Sequence, residues 1–164
     1  MRKYLALFCG VGLLIVYALF MQSQIVIGQT GGTQNVTWTT NSPDITITGN
    51  SLQKTSGCDG CTSGATSQQS IAAGDGYVEF TAAETNTYRF CGLTNGNVNG
   101  DYNQIAFAIE LTGGGTAEVR ENNNYRSQTN YVTGDVFRVS IEGGVIKYYK
   151  NGVAFYTNSS PTIV

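Results

Sequence analysis

From Gln29 onward, apolar and polar residues alternate in short runs broken by Gly, Asn and Asp. That period of two marks half-buried strands, and its repetition at short intervals marks a sandwich or barrel. Asn35–Thr40 (NVTWTT) and Asp44–Gly49 (DITITG) put threonines on one face, and Ile45 and Ile47 share the other face of the second run. Gly76–Ala82 (GYVEFTA) sets Val78 and Phe80 against Tyr77 and Glu79. Thr87–Leu93 follows, and then Gln104–Thr112 (QIAFAIELT), where Ile105, Phe107, Ile109 and Leu111 form an apolar stripe. The small Ala106 and Ala108 on its reverse mean that this face is either packed upon or kept flat. In Gly134–Tyr156 (GDVFRVSIEGGVIKYYKNGVAFY), Phe137, Val139 and Ile141 point inward against Arg138, Ser140 and Glu142. Gly143-Gly144 and Asn151-Gly152 suit type I′ turns, which need positive φ at both central positions, so this stretch predicts a three-stranded meander.

The first residues follow a different pattern. Arg2 and Lys3 precede an apolar run, Tyr4–Met21, interrupted only by Gly10 and Gly12 and followed by Gln22, Ser23 and Gln24. A basic start, an apolar middle and a polar continuation read as a secretory signal. The run also reaches the lower limit for crossing a bilayer, so an uncleaved anchor is the alternative. Ser23 and Gly28 are the small residues able to precede a cut. Cys9 follows Phe8, where a lipid-attachment site wants a small residue. Residues 1–28 are therefore expected to be a helical signal peptide or N-terminal anchor, and residues 29–164 one exported domain, secreted or displayed on the cell surface. Membrane contact is expected only through the first segment, if it is retained.

Composition narrows the partners. Only 12% of the 164 residues are charged, and aromatics make up 11%, which suits a packed β domain and not a disordered chain. Setting Arg2 and Lys3 aside leaves seven of nine basic residues against eleven acidic ones, a net of about −4. Those seven are scattered, and nucleic acid needs a basic patch to neutralise phosphates, so none is expected as a partner. The chain contains no histidine. Ser-His-Asp and Cys-His catalysis and His-ligated zinc are thereby excluded.

Cys9 belongs to the N-terminal segment, leaving Cys58, Cys61 and Cys91. Cys58-Asp59-Gly60-Cys61 can close on itself across an Asp-Gly turn, and a structural Cys58–Cys61 disulfide is the expectation. Redox catalysis would want a helix N-terminus beside the thiol, and Gly57 and Gly60 argue for a loop instead. Cys91 alternates with Arg89, opposite Phe90, and is expected to face away from the main core. It is then free, or paired with Cys58 or Cys61.

The run GDVFRVSIEGGVIKYYKNG at 134–152 appears together with GNSLQKTSGCDGC at 49–61, GDGYVEFTA at 74–82 and TYRFCGLTNGN at 87–97. In this order the motifs resemble bacterial extracellular domains of the concanavalin A-like class, with kinship to the SPRY type of sandwich, over roughly Val36–Thr157. The resemblance implies an all-β antiparallel jelly-roll of two curved sheets packed face to face. Such domains are usually repeats or appendages of surface proteins whose ligands are mostly unassigned, so the resemblance bears on fold more than on function. Its members continue past the last hairpin with a further apolar strand, whereas this sequence ends at Ser160-Pro161-Thr162-Ile163-Val164. An unpaired edge is expected there, a template for another chain. Gln24–Gln29 (QIVIGQ) is a β-prone run able to fill an edge in its own domain or in a neighbour.

Sandwiches of this class include glucanases, which set two carboxylates about 5–5.5 Å apart in retaining enzymes. Glu118 and Glu121 sit three apart, on opposite faces of a strand, and Glu110 stands alone on its own. No catalytic residue is therefore expected, nor any metal or cofactor. The loops 94–103 (TNGNVNGDYN) and 121–131 (ENNNYRSQTNY) carry the better chemistry. Planar amides and carboxylates pair with sugar hydroxyls, and aromatic rings cover apolar sugar faces. Asn95, Asn97, Asp101, Tyr102, Asn124, Tyr125 and Tyr131 are the candidate ligand-binding residues, although Asn and Gly also simply make turns. A glycan or polysaccharide is the expected partner. The alternative is a structural subunit of a surface layer or filament that pairs with copies of itself.

Overall fold

Strand-forming alternation dominates the computed structural model, which describes residues 3–9, 25–29, 32–40, 42–57, 63–96 and 101–161. The described chain is all-β, arranged in antiparallel sheets. In order, the strands are β1 (Lys3–Cys9), β2 (Ile25–Gln29), β3 (Gly32–Asn35), β4 (Trp38–Thr39), β5 (Ile45–Thr48), β6 (Ser51–Lys54), β7 (Gly64–Ser67) and β8 (Gly76–Thr81). They continue as β9 (Arg89–Asn95), β10 (Phe107–Leu111), β11 (Thr116–Glu121), β12 (Asn124–Asn130), β13 (Val136–Glu142), β14 (Val145–Lys150) and β15 (Val153–Asn158), with a 3₁₀ turn at Tyr102–Gln104. One sheet has the order β12-β11-β10-β9-β1-β7-β4, a second the order β15-β14-β13-β8-β2-β3, and β5-β6 form a small ribbon.

The main core lies between the two large sheets. Val78, Phe80, Phe137, Val139, Ile141, Ile146 and Tyr148 come from the six-stranded sheet. Cys91, Leu93, Phe107, Ile109, Leu111, Ala117 and Val119 come from the seven-stranded one. Edge-to-face and stacked contacts tie Phe137 to Phe80, Tyr131 and Phe155. Each well-buried ring or branched side chain contributes roughly 1.5–3 kcal/mol. The meander forms as its turns predict: Gly143 and Gly144 have φ of 59° and 81°, and Asn151 and Gly152 of 50° and 78°.

Several expectations are corrected. Of the segment expected to be a signal or anchor helix, Lys3–Cys9 is described as a strand pairing with β9 on one side and β7 on the other. A strand there joins two halves of the sheet, whose facing edges would otherwise lack partners. Residues 10–24, the rest of the apolar run, lie outside the described residues. Ile25–Gln29 is a strand that pairs within this chain, between β8 and β3. The stretch NVTWTT does not make one strand: β3 ends at Asn35, Val36 and Trp38 turn into the core, and the chain crosses to the other sheet as β4. In β5 the face of Ile45 and Ile47 stays largely in solvent, because β5 pairs only with β6.

Cys91 does not face away from the core. It is 0% exposed and sits in the main cluster, while its neighbour Phe90 points outward into a smaller cluster with Ile105, Ala108 and Tyr102. Both faces of β9 are buried, so alternation alone assigned them in reverse. The Cys91 thiol is free, and burial pushes its pKa well up. Cys58 and Cys61, with their expected disulfide, lie outside the described residues.

Candidate functional site

The loop expected at 121–131 is a tight hairpin and a seven-residue outermost strand. Asn122 and Asn123 adopt φ of 47° and 63°, the left-handed pair that a type I′ turn requires, and asparagine tolerates it better than most residues. Beyond the turn, β12 runs as NYRSQTN with most positions exposed, so no apolar stripe betrayed it.

This hairpin brings two candidate clusters together. The Asn122 N–H donates to the Ala106 carbonyl at 2.8 Å, and the Thr94 hydroxyl donates to the Gln104 carbonyl at 2.7 Å. The end of β9, the 3₁₀ turn and the β11–β12 turn are thus fastened at one end of the seven-stranded sheet. Asn95 lies there, exposed, as the last residue of β9. Asp101 caps the 3₁₀ turn, its Oδ1 accepting from the Asn103 N–H at 2.9 Å and from the Asn103 side-chain amide at 2.8 Å. Tyr102 stacks on Phe90 with ring centroids 4.7 Å apart. The Asn124 amide donates to the Asn122 carbonyl at 3.1 Å, and Tyr125 is 50% exposed. Asn97 lies outside the described residues.

Tyr131 does not join them. It is 3% exposed, packs edge-on against Phe137, and donates its hydroxyl to the Thr112 carbonyl at 2.9 Å. Burial also raises its pKa, and its place is in the core.

Beside the cluster runs a polar row unforeseen in the sequence. Glu110 and Glu118 are direct cross-strand partners on the outer face, and Glu110 is flanked on its other side by Phe90. Glu110 therefore does not stand alone. Arg120 joins the two carboxylates, its Nε 2.9 Å from Glu110 Oε2 and its terminal nitrogen bonded to Glu118. The same guanidinium lies 5.7 Å from the Tyr125 ring centroid, and the Tyr125 hydroxyl donates to Gln128 at 3.3 Å. Burial raises the Glu110 pKa; the Arg120 charge opposes that rise and Glu118 adds to it. At about 4.8 Å between strands, the row from Phe90 on β9 through Glu110 and Glu118 to Gln128 on β12 spans roughly 14 Å. The signal for it was the Gly113-Gly114-Gly115 turn: folding the chain symmetrically about Gly114 sets position 110 against position 118.

Glu121 lies on the opposite face of β11, as its spacing from Glu118 predicts. Buried at 2% exposure, it accepts from the Tyr148 hydroxyl at 3.1 Å, Asn158 at 2.9 Å and Arg126 at 3.1 Å. This knot ties β11 to β14 and β15 and so joins the two sheets. Among the described residues, no group of three or more Cys, Asp or Glu side chains is placed to hold a metal ion, and no helix is long and apolar enough to cross a membrane.

No known protein family matches this chain, and neither the curated proteins nor the solved structures contain a significant match.

Proposed function

We propose that this chain is an exported, non-catalytic surface module that binds a glycan or polysaccharide at the β9–β12 end of its seven-stranded sheet. The observation that carries this reading is the convergence of Asn95, Asp101, Tyr102, Asn124 and Tyr125 beside the Glu110–Arg120–Glu118 row. The exposed amides of Asn95 and Asn124 and the half-buried carboxylate of Asp101 offer both donors and acceptors to sugar hydroxyls, and Tyr125 offers a ring face. Arg120 holds both carboxylates in ion pairs, which suits fixed recognition better than proton transfer. The two large sheets with a shared core support the finer architecture proposed here, a concanavalin A-like jelly-roll. Export is read from Arg2, Lys3 and the apolar run after them, with the segment retained, since Lys3–Cys9 is a strand of the sheet.

The test is a panel of immobilised glycans and polysaccharides probed with the full chain. Selective, saturable binding weakened at least tenfold by Tyr125→Ala or Arg120→Ala, with an unchanged far-UV CD spectrum, is the expected result. Binding to nothing on the panel, or binding indifferent to both substitutions, refutes the site. A second reading, a structural subunit that assembles with copies of itself, is favoured by one specific observation: the N-terminal strand β1 bridges two halves of a sheet.

A further inference from the structure

In the seven-stranded sheet β1 pairs at all seven positions with β9, Lys3 opposite Asn95 through Cys9 opposite Arg89. On its other side Ala6, Leu7 and Phe8 pair with Thr66, Ala65 and Gly64 of β7. Without β1 the sheet separates into β12-β11-β10-β9 and β7-β4, exposing two facing rows of unpaired backbone groups. On the core side, the strands bordering that slot present Cys91, Leu93 and Ala65, all apolar and buried. The slot is a seat for one extended strand in one register.

We propose that this slot is a strand-acceptor site for a second copy of this chain, with Lys3–Cys9 as the strand exchanged. The inference rests on the subunit reading and is independent of the glycan site. The length of chain behind the strand argues for exchange. Fifteen residues separate Cys9 from Ile25. The other crossings between the large sheets, β3 to β4, β7 to β8, β8 to β9 and β12 to β13, take between two and eight residues. Fifteen residues reach up to about 50 Å when extended, against the roughly 10 Å that separates packed sheets. That reach exceeds the width of a domain of this size, about 35–40 Å from its expected radius of gyration. Each copy would donate one strand and accept one. If the acceptor is not the donor's own donor, the contact is head-to-tail and propagates into a filament.

The register supplies the experiment. Leu7 is the cross-strand partner of Cys91, and antiparallel partners lie about 4.5–5.5 Å apart at Cα, within the range a disulfide spans. The full chain carrying Leu7→Cys, with Cys9, Cys58 and Cys61 changed to Ser, is oxidised with diamide and run on a non-reducing gel. Exchange predicts a ladder of covalent dimers and higher species, holding most of the protein, that collapses to monomer on reduction. A monomer linked internally between positions 7 and 91 overturns exchange while leaving the strand's placement intact. Two free thiols after oxidation overturn the slot itself. Because a change opposite the buried Cys91 can disturb folding, Lys3→Cys with Asn95→Cys, where Asn95 is exposed, repeats the reading at the other end of the register, with Cys91 also changed to Ser. Light scattering on the unmodified full chain separates the two failures. A monomer at all concentrations sinks the subunit reading, whereas multimers without position 7–91 links sink only this strand.

Discussion

Gly92 sits on the outer face of β9, opposite Ala108, where a Cβ would be driven into the Phe107 carbonyl oxygen and the Ala108 Cα. Both obstacles are backbone, so no rotamer change relieves the clash. Gly92→Ala is expected to cost about 1–3 kcal/mol in urea unfolding, as overpacking does, and to loosen the β9–β10 pairing beneath the candidate site. Tyr148 makes the complementary case. Its hydroxyl is buried and bound to Glu121, and desolvation together with that carboxylate pushes its pKa far up, so it stays protonated at any pH the fold survives. Tyr148→Phe keeps the ring packed against Tyr156 and leaves Glu121 with Arg126 and Asn158. The expected loss is about 1 kcal/mol by the same measurement, with m unchanged.

Among the elements, the β11–β12 hairpin carries half of the candidate site on two asparagines. The left-handed conformation costs an ordinary L-residue roughly 1–2 kcal/mol and glycine nothing. Asn123→Gly, which makes the favoured Asn-Gly pair, is expected to hold or slightly raise the melting temperature, and Asn123→Ala to lower it. Glycan binding should follow the same order, since the turn positions Asn124 and Tyr125. The six-stranded sheet protects its outer face differently. Arg138 bonds Glu79 at 2.6 and 2.9 Å and lies 4.0 Å from the Tyr77 ring centroid, and Tyr77 in turn covers Gly28. These contacts engage the Arg138 guanidinium and the Tyr77 ring on that face.

For the whole molecule, acid stability follows from two carboxylates. Burial alone would raise the pKa of Asp135 and Glu142, but hydrogen bonds and a neighbouring cation outweigh it and hold both below the ordinary carboxylate range. Asp135 accepts from the Val132 N–H at 2.9 Å and the Asn151 amide at 2.7 Å, with Lys150 3.0 Å away. Glu142 takes Lys147 at 2.7 Å, Ser140 at 2.8 Å and Tyr149 at 2.9 Å. A carboxylate depressed in the folded state stabilises it above the unfolded pKa, and that stability is lost as pH falls through the folded one. Stability should therefore drop from about pH 4 downward. Asp135→Asn should flatten this loss in acid titrations followed by tryptophan fluorescence. Glu110, raised by burial, works in the opposite sense: its protonation favours the fold as pH falls, so Glu110→Gln should remove a small gain at low pH.

How much of this was legible beforehand depended on whether the information is local. The strands β8, β10 and β13–β15, the inward positions Val78, Phe80, Phe137, Val139 and Ile141, and the two hairpin turns were readable. Alternation with period two and paired glycines or Asn-Gly are properties of neighbouring residues. The all-β class followed from them. Where both faces of a strand are covered, the alternation loses its meaning, and so Cys91 and Phe90 exchanged sides. Where neither face is covered, as in β12, there was no stripe to read. Tyr131 looked like a loop residue because only the packed sheet reveals that Phe137 waits beneath it. The Glu110–Arg120–Glu118 row and the bridge made by β1 depend on register between segments up to about ninety residues apart. The sequence by itself determined which residues alternate and where the chain turns. The tertiary structure alone decided which strands became neighbours, because pairing is a contest among edges that no single segment encodes.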